Sequence, residues 1–239
     1  MPNPTAYKLL EACREPGCPV CRLEQQSVER YLDNHFYENV NSPAWRDRLR
    51  ASHGFCHEHA WLGVNRRLGD ALGFSIIYHD ILNTILDQLN EDRRPARSPR
   101  GWASLLGQVP EKARALIGKM LYAFSPRKGC PVCEHRDEVR RTLLSTLVEE
   151  MGAREMAEAL QTSDGLCLPH LRLALGYVRD DSICDQLLTI HRDKLASLRT
   201  ELAEFIRKND YQAFQEGFGV EGDAWLRAIG MIAGHRKEP

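Results

Sequence analysis

The sequence predicts an all-α protein built from two related helical modules. Apolar residues recur at helical spacing along most of the 239-residue chain, and no stretch shows the sustained two-residue alternation of a half-buried strand. A cysteine and histidine pattern also occurs twice, with Cys18 and Cys130 112 positions apart. This period is far longer than that of a solenoid repeat and indicates duplication of a whole domain.

The first module is predicted to contain five helices. Proline at position 19 suits a first helical turn, where its missing N–H costs nothing, and Ser42 is a suitable N-cap. Gly69 and Gly73 indicate a turn between the last two helices. The predicted helices cover residues 6–13, 18–39, 43–50, 56–68 and about 74–89.

A linker and a second module are predicted to follow. Residues 91–100 (EDRRPARSPR) carry four arginines and two prolines without a large apolar side chain, which is typical of an exposed connector. Further helices are predicted over 102–124 (interrupted at Pro110), 131–151, 154–161, 167–178 and 183–208, with one or two more in the tail. The expected division is a first metal-binding module at 1–92, a linker with short helices at 93–124, a second metal-binding module at 125–209 and a helical tail at 210–239.

The duplicated pattern is C-P-V-C followed by G-[FL]-C-x-x-H, and it predicts two metal sites. Zinc prefers thiolate and imidazole ligands in a tetrahedral set, and the partial positive charge of a helix N-terminus favours thiolates. Ligands are expected to come from within each copy. The first set is Cys18, Cys21, Cys56 and His59, and the second is Cys130, Cys133, Cys167 and His170.

Two further histidines repeat with the pattern. His79 lies 20 positions after His59, and His191 lies 21 positions after His170. Each interval contains a predicted break, so an antiparallel return would bring each histidine back to the level of its site. His79 and His191 are therefore candidates for an alternative ligand or for a partner that orients the ligands. An equally good interpretation is that both are ordinary helix histidines that were retained after duplication because of their packing.

Three functional interpretations are compatible with these residues. In the first, each chain binds two Zn²⁺ ions in closed structural sites and serves an interaction or regulatory role with an unknown protein partner. In the second, the sites hold iron–sulfur clusters in a redox or catalytic protein, with His79 and His191 near the clusters. In the third, either histidine acts as a base beside a metal-bound water. The question of an enzyme thus stays open, and no catalytic residue is assigned.

The motifs resemble those of an uncharacterised bacterial family of helical proteins with paired cysteine motifs. The likeness is carried by the C-P-V-C motif at 18–21 and by Gly54, Phe55, Cys56, His59 and Trp61, whereas the second copy has Leu171 and Arg172 in place of the Ala-Trp pair. It covers most of the chain. The resemblance implies metal binding and indicates no substrate.

Composition excludes several other classes. A net charge of −1 argues against a general nucleic-acid binder, which would carry a basic surface. The sequence contains no run of 18 apolar residues, so no membrane span is predicted. The N-terminus also lacks the pattern of a secretory signal. A cytoplasmic protein is expected, in which paired C-x-x-C motifs are typical of metal ligands rather than disulfides.

Overall fold

The computed structural model describes residues 3–90, 110–210 and 214–235, and within these ranges the chain is all-α, as predicted. No strand occurs in them. The α-helices are α1 (Pro4–Ala12), α2 (Pro19–Glu38), α3 (Pro43–Ser52), α4 (His57–Asn65), α5 (Ala71–Asn90), α6 (Glu111–Phe124), α7 (Pro131–Glu150), α8 (Arg154–Thr162), α9 (Leu168–Leu175), α10 (Asp181–Lys208) and α11 (Ala224–Ala233). Two short 3₁₀ helices, Phe214–Glu216 and Val220–Asp223, precede α11.

Local sequence accounts for where these helices begin and end. Prolines open α2, α3 and α7, as expected at a first helical turn. Helix α10 starts two residues earlier than predicted, because the Asp180 side chain accepts a hydrogen bond from the Ser182 N–H at 2.7 Å. Helix α9 is shorter than predicted and ends before Gly176. The predicted linker at 91–100 and the first part of the 102–124 segment lie outside the described residues.

The chain divides into two compact units, and neither is a continuous segment. Unit 1 contains Met1–Ser27 and Arg136–Glu238, and unit 2 contains Val28–His135. The division therefore falls within α2 and within α7, rather than at the boundaries expected for consecutive modules. The duplication itself stays a prediction.

Unit 1 has an aliphatic core. Helices α7, α8 and α10 supply fully buried side chains, and α1 packs against α8. The largest fully buried side chains of the unit are Leu9 of α1, Leu144 and Leu147 of α7, Met156 and Leu160 of α8, Leu187 of α10, and Met151 and Leu166 between helices. A smaller cluster of Leu198, Ala224 and Met231 lies between α10 and α11.

Unit 2 has a core with more aromatic side chains. Helix α5 packs against α3 and α6, and Phe36 contacts both Phe55 and Phe74. Trp45, Leu49, Ile77 and Ile81 are also buried in this core. Among the described helices of the whole chain, none is long and apolar enough to cross a membrane.

Candidate metal centres

The eight predicted ligands form two clusters, and each cluster combines residues from both copies of the pattern. Site A contains Cys18 and Cys21 with Cys167 and His170, and site B contains Cys56 and His59 with Cys130 and Cys133. The expected pairing within each copy is therefore corrected. Site A lies within unit 1 and site B within unit 2.

The donor atoms of site A are close together. His170 Nδ1 lies 3.4 Å from the sulfurs of Cys18 and Cys21 and 3.2 Å from that of Cys167. The sulfurs of Cys21 and Cys167 are 3.7 Å apart. Three of these four contacts join residues that are far apart in the sequence, with separations of 146, 149 and 152 positions.

Site B repeats this geometry. His59 Nδ1 lies 3.2 Å from the sulfur of Cys56, 3.4 Å from that of Cys133 and 3.7 Å from that of Cys130. The sulfurs of Cys56 and Cys133 are 3.6 Å apart. Both sites thus present three sulfurs and one Nδ1 within 4.8 Å of one another.

These distances fit one tetrahedral ion at each site. Zinc–sulfur and zinc–nitrogen bonds of about 2.3 Å and 2.0–2.1 Å separate neighbouring sulfurs by ~3.8 Å and a sulfur from a nitrogen by ~3.6 Å. A disulfide would need the sulfurs only about 2 Å apart, and all eight cysteines are free. The clusters are consequently suited to bind metal ions through reduced cysteines.

Two helix N-termini meet at each cluster, as the sequence predicts. Cys167 is the N-cap of α9, and Cys18 directly precedes α2. In unit 2, Cys56 is the N-cap of α4, and Cys130 directly precedes α7. The positive ends of helix dipoles favour nearby negative charge, and a bound metal cation would be ligated by cysteine as thiolate at these positions.

Electrostatics at site A favour a positive charge on or beside His170. Burial alone would lower the pKa of His170, but its contacts with the three cysteine sulfurs and Glu24 outweigh burial and raise that pKa. A metal cation at this position would be stabilised by the same sulfurs.

Glu24 is a partner of site A that the duplicated sequence pattern does not include. Its carboxylate accepts from His170 Nε2 at 3.4 Å and is paired with Arg140. Burial opposes ionisation of Glu24, but the hydrogen bonds from His170 and Arg140 prevail and hold its pKa below the ordinary value. A carboxylate on the far nitrogen fixes the ring so that Nδ1 faces the cysteines. The sequence could have indicated Glu24 only through its position three residues after Cys21 on α2. The second copy does not repeat this feature, because the residue three positions after Cys133 is Arg136.

Replacing Glu24 should weaken metal binding at one site only. We expect Glu24→Ala to lower the zinc affinity of site A by roughly 10–100-fold, because the His170 ring loses the group that orients it. Competitive chelator titration of the variant measures this, and site B supplies the internal control. Two unchanged affinities would contradict the role assigned to Glu24.

His191 contacts the loop before Cys167 rather than the donor cluster. The backbone N–H of Leu166 donates to His191 Nε2 at 2.9 Å, and His191 Nδ1 donates to the Leu187 carbonyl at 2.7 Å. Burial lowers the pKa of this ring, which is in keeping with a neutral imidazole. Both ring nitrogens are therefore bonded to backbone, and His191 holds the Gly165–Leu166 turn that positions Cys167.

His79 has a different environment. It is exposed on α5, where its Nδ1 lies 3.3 Å from the Asn83 amide, and it belongs to neither donor cluster. Cys56 and Cys167 are 111 positions apart, so the position that corresponds to His191 is Asp80. One residue rotates a side chain by about 100° around a helix, and this offset accounts for the exposure of His79.

Replacing the two histidines should therefore have unequal effects. We expect His191→Ala to destabilise unit 1 by about 2–4 kcal/mol, because the buried N–H of Leu166 and the carbonyl of Leu187 each lose a partner. His79→Ala should change stability by less than about 0.5 kcal/mol, as for most surface substitutions. Denaturant unfolding of the zinc-saturated proteins compares them, and equal losses would refute the distinction.

The fold and the geometry of the donor atoms place this protein in the class of all-α proteins with two Cys3His clusters. The chain belongs to a family described as "Family of unknown function (DUF6062)", which matches residues 8–239. It is also similar to the "Uncharacterized 23.9 kDa protein in xynA 3'region" of Caldicellulosiruptor sp. (strain Rt8B.4), with 23% identity over 233 residues that cover 95% of this chain and 99% of that protein. No solved structure matches the chain.

Proposed function

We propose that sites A and B are closed structural zinc sites, and that the protein serves as an interaction or regulatory module. The observation that carries the proposal is the compact set of four protein donors at each site, all within 4.8 Å. Four such ligands complete a tetrahedron and leave no open position for a water or substrate, which is the pattern of structural rather than catalytic zinc.

The same compactness favours a single ion over an iron–sulfur cluster. The ligands of a cluster bind different iron atoms, so they are spread more widely than the ligands around one ion. Three sulfurs and a nitrogen with neighbour separations of 3.2–3.7 Å fit the coordination shell of one metal.

An interaction role is supported by the outer face of α11. Four apolar side chains, Trp225, Leu226, Ile229 and Ile232, are each about half exposed on this ten-residue helix. Contiguous exposed apolar side chains commonly mark protein interaction surfaces.

Metal analysis of protein purified without oxygen tests the proposal. We expect two zinc ions per chain and no visible absorption band. Iron with inorganic sulfide and a broad visible band would refute zinc and establish the cluster alternative. One iron per site without sulfide would keep the single-ion geometry and refute only the choice of metal.

A further inference from the structure

We propose that Gly234 and His235, which follow α11, form a strap over site A and limit the exchange of its metal ion. The inference rests on the proposed function, since it concerns the ion held by the four donors of site A. It begins from the residues that this short segment touches.

The backbone of Gly234 lies against the site A sulfurs. A Cβ atom at this position would stand 3.8 Å from Cys21 Sγ and 3.9 Å from Cys167 Sγ, which is ordinary van der Waals contact. Gly234 has φ +90, a conformation that L side chains rarely adopt, and its N–H donates to the Gly230 carbonyl at 3.0 Å. The chain thus turns at the end of α11 directly over two predicted ligands.

The imidazole of His235 packs against Gly17 and Gly230 and so holds the strap in place. A Cβ on Gly17 would lie only 2.1 Å from His235 Nε2, and a Cβ on Gly230 would lie 3.3 Å from the same ring. The ring therefore occupies space that any side chain at position 17 would fill. Gly17 immediately precedes the ligand Cys18, so the ring fixes the strap beside the start of the C-P-V-C motif.

A cavity lies beside the strap and borders site A. It has a volume of about 170 Å³, and Cys18, Cys167 and His235 are among its lining residues. Lys194 and Arg227 on its wall are already bonded, the first to the Gln161 carbonyl at 2.8 Å and the second to Asp223 at 2.7 Å. These two cations thus have partners of their own, and His235 of the strap forms part of the wall between this cavity and site A, so loss of its ring would widen the opening toward Cys18 and Cys167.

Two substitutions separate a covering strap from a metal-binding histidine. His235→Ala removes the ring that holds the strap, whereas His235→Phe keeps a ring of similar size and removes both nitrogen donors. Both proteins are compared with the wild-type chain, fully loaded with zinc, after circular dichroism has established equal helix content.

The measurement is the rate at which a chromogenic chelator removes zinc. We expect His235→Ala to release one of the two ions about tenfold faster, the factor that corresponds to ~1.4 kcal/mol of lost packing. His235→Phe should release it within about twofold of the wild-type rate, and the second ion should leave at the same rate in all three proteins. Equal rates for His235→Ala and the wild type would overturn the proposal. Slower release in both variants would also overturn it, because the imidazole would then be accepting the departing ion.

Thiol labelling separates a failure of the strap from a failure of the zinc assignment. In chains that bind no metal, which would refute the proposed function, iodoacetamide should still label Cys21 faster in His235→Ala than in the wild type, with Cys56 and Cys133 unchanged. Identical labelling of Cys21 in the two proteins would refute the strap independently of the metal.

Discussion

A chain carrying both Cys18→Ser and Cys167→Ser should retain one tightly bound zinc ion, and a chain carrying Cys18→Ser and Cys56→Ser should retain none. The first pair of substitutions falls within site A, and the second removes one thiolate from each site. Zinc affinity depends on the number and type of ligands, so a site with three remaining ligands loses its ion to a competing chelator. Metal analysis after dialysis against such a chelator gives the count.

The opposite counts would follow if each copy of the pattern formed its own site. Cys18→Ser with Cys56→Ser would then damage only the first copy and leave one ion, whereas Cys18→Ser with Cys167→Ser would damage both. Cys184→Ser is the matched control, because Cys184 is partly exposed and belongs to neither cluster. That variant should bind two ions.

Complete removal of zinc should unfold both units. Each site joins segments that are far apart in the sequence: Cys21 and Cys167 are 146 positions apart, and Cys56 and Cys133 are 77 positions apart. The apparent binding free energy of a structural zinc ion, roughly 10–16 kcal/mol, is comparable with the whole stability of a domain, about 5–15 kcal/mol.

Far-UV circular dichroism and limited proteolysis during chelation measure this effect. We expect loss of helical signal and rapid cleavage, with recovery when zinc is restored under reducing conditions. A metal-free chain, verified by metal analysis, that kept its helical signal and its cooperative thermal transition would contradict a structural role for the ions.

The sequence predicts the helices and the ligand residues for clear physical reasons. Proline at positions 19 and 131 marks helix starts, and apolar spacing marks the buried faces. Two copies of the same cysteine and histidine pattern identify the donors, because the spacing of three places both members of each pair at one helix N-terminus. These are local features, and local sequence determines them.

The pairing of the donors is not a local feature. Each copy offers the same two half-sites, so the donor set is three cysteines and one histidine whichever halves combine. The outcome depends on how α2 and α7 pack within the two units, which a single sequence does not specify. Nearness in sequence favoured pairing within each copy, and the structure has the other arrangement.

The His79 interpretation disregarded an offset of one residue between the two copies. Counting from His59 and His170 gave 20 and 21 positions, a difference that is small along the chain but is about 100° around a helix. His59 and His170 are 111 positions apart, as are Cys56 and Cys167, and this register matches His191 to Asp80 rather than to His79. The difference between 20 and 21 positions therefore already indicated that the two histidines are not equivalent.

The exchanged pairing has a consequence for synthesis of the chain on the ribosome. All four donors of site B have been made once Cys133 is added, whereas Cys18 and Cys21 must wait until His170 has been made. Segments made first generally fold first. The first C-P-V-C motif thus spends the longest time as a pair of unprotected thiols. If the sites bind metal as proposed, site B can acquire its ion before site A.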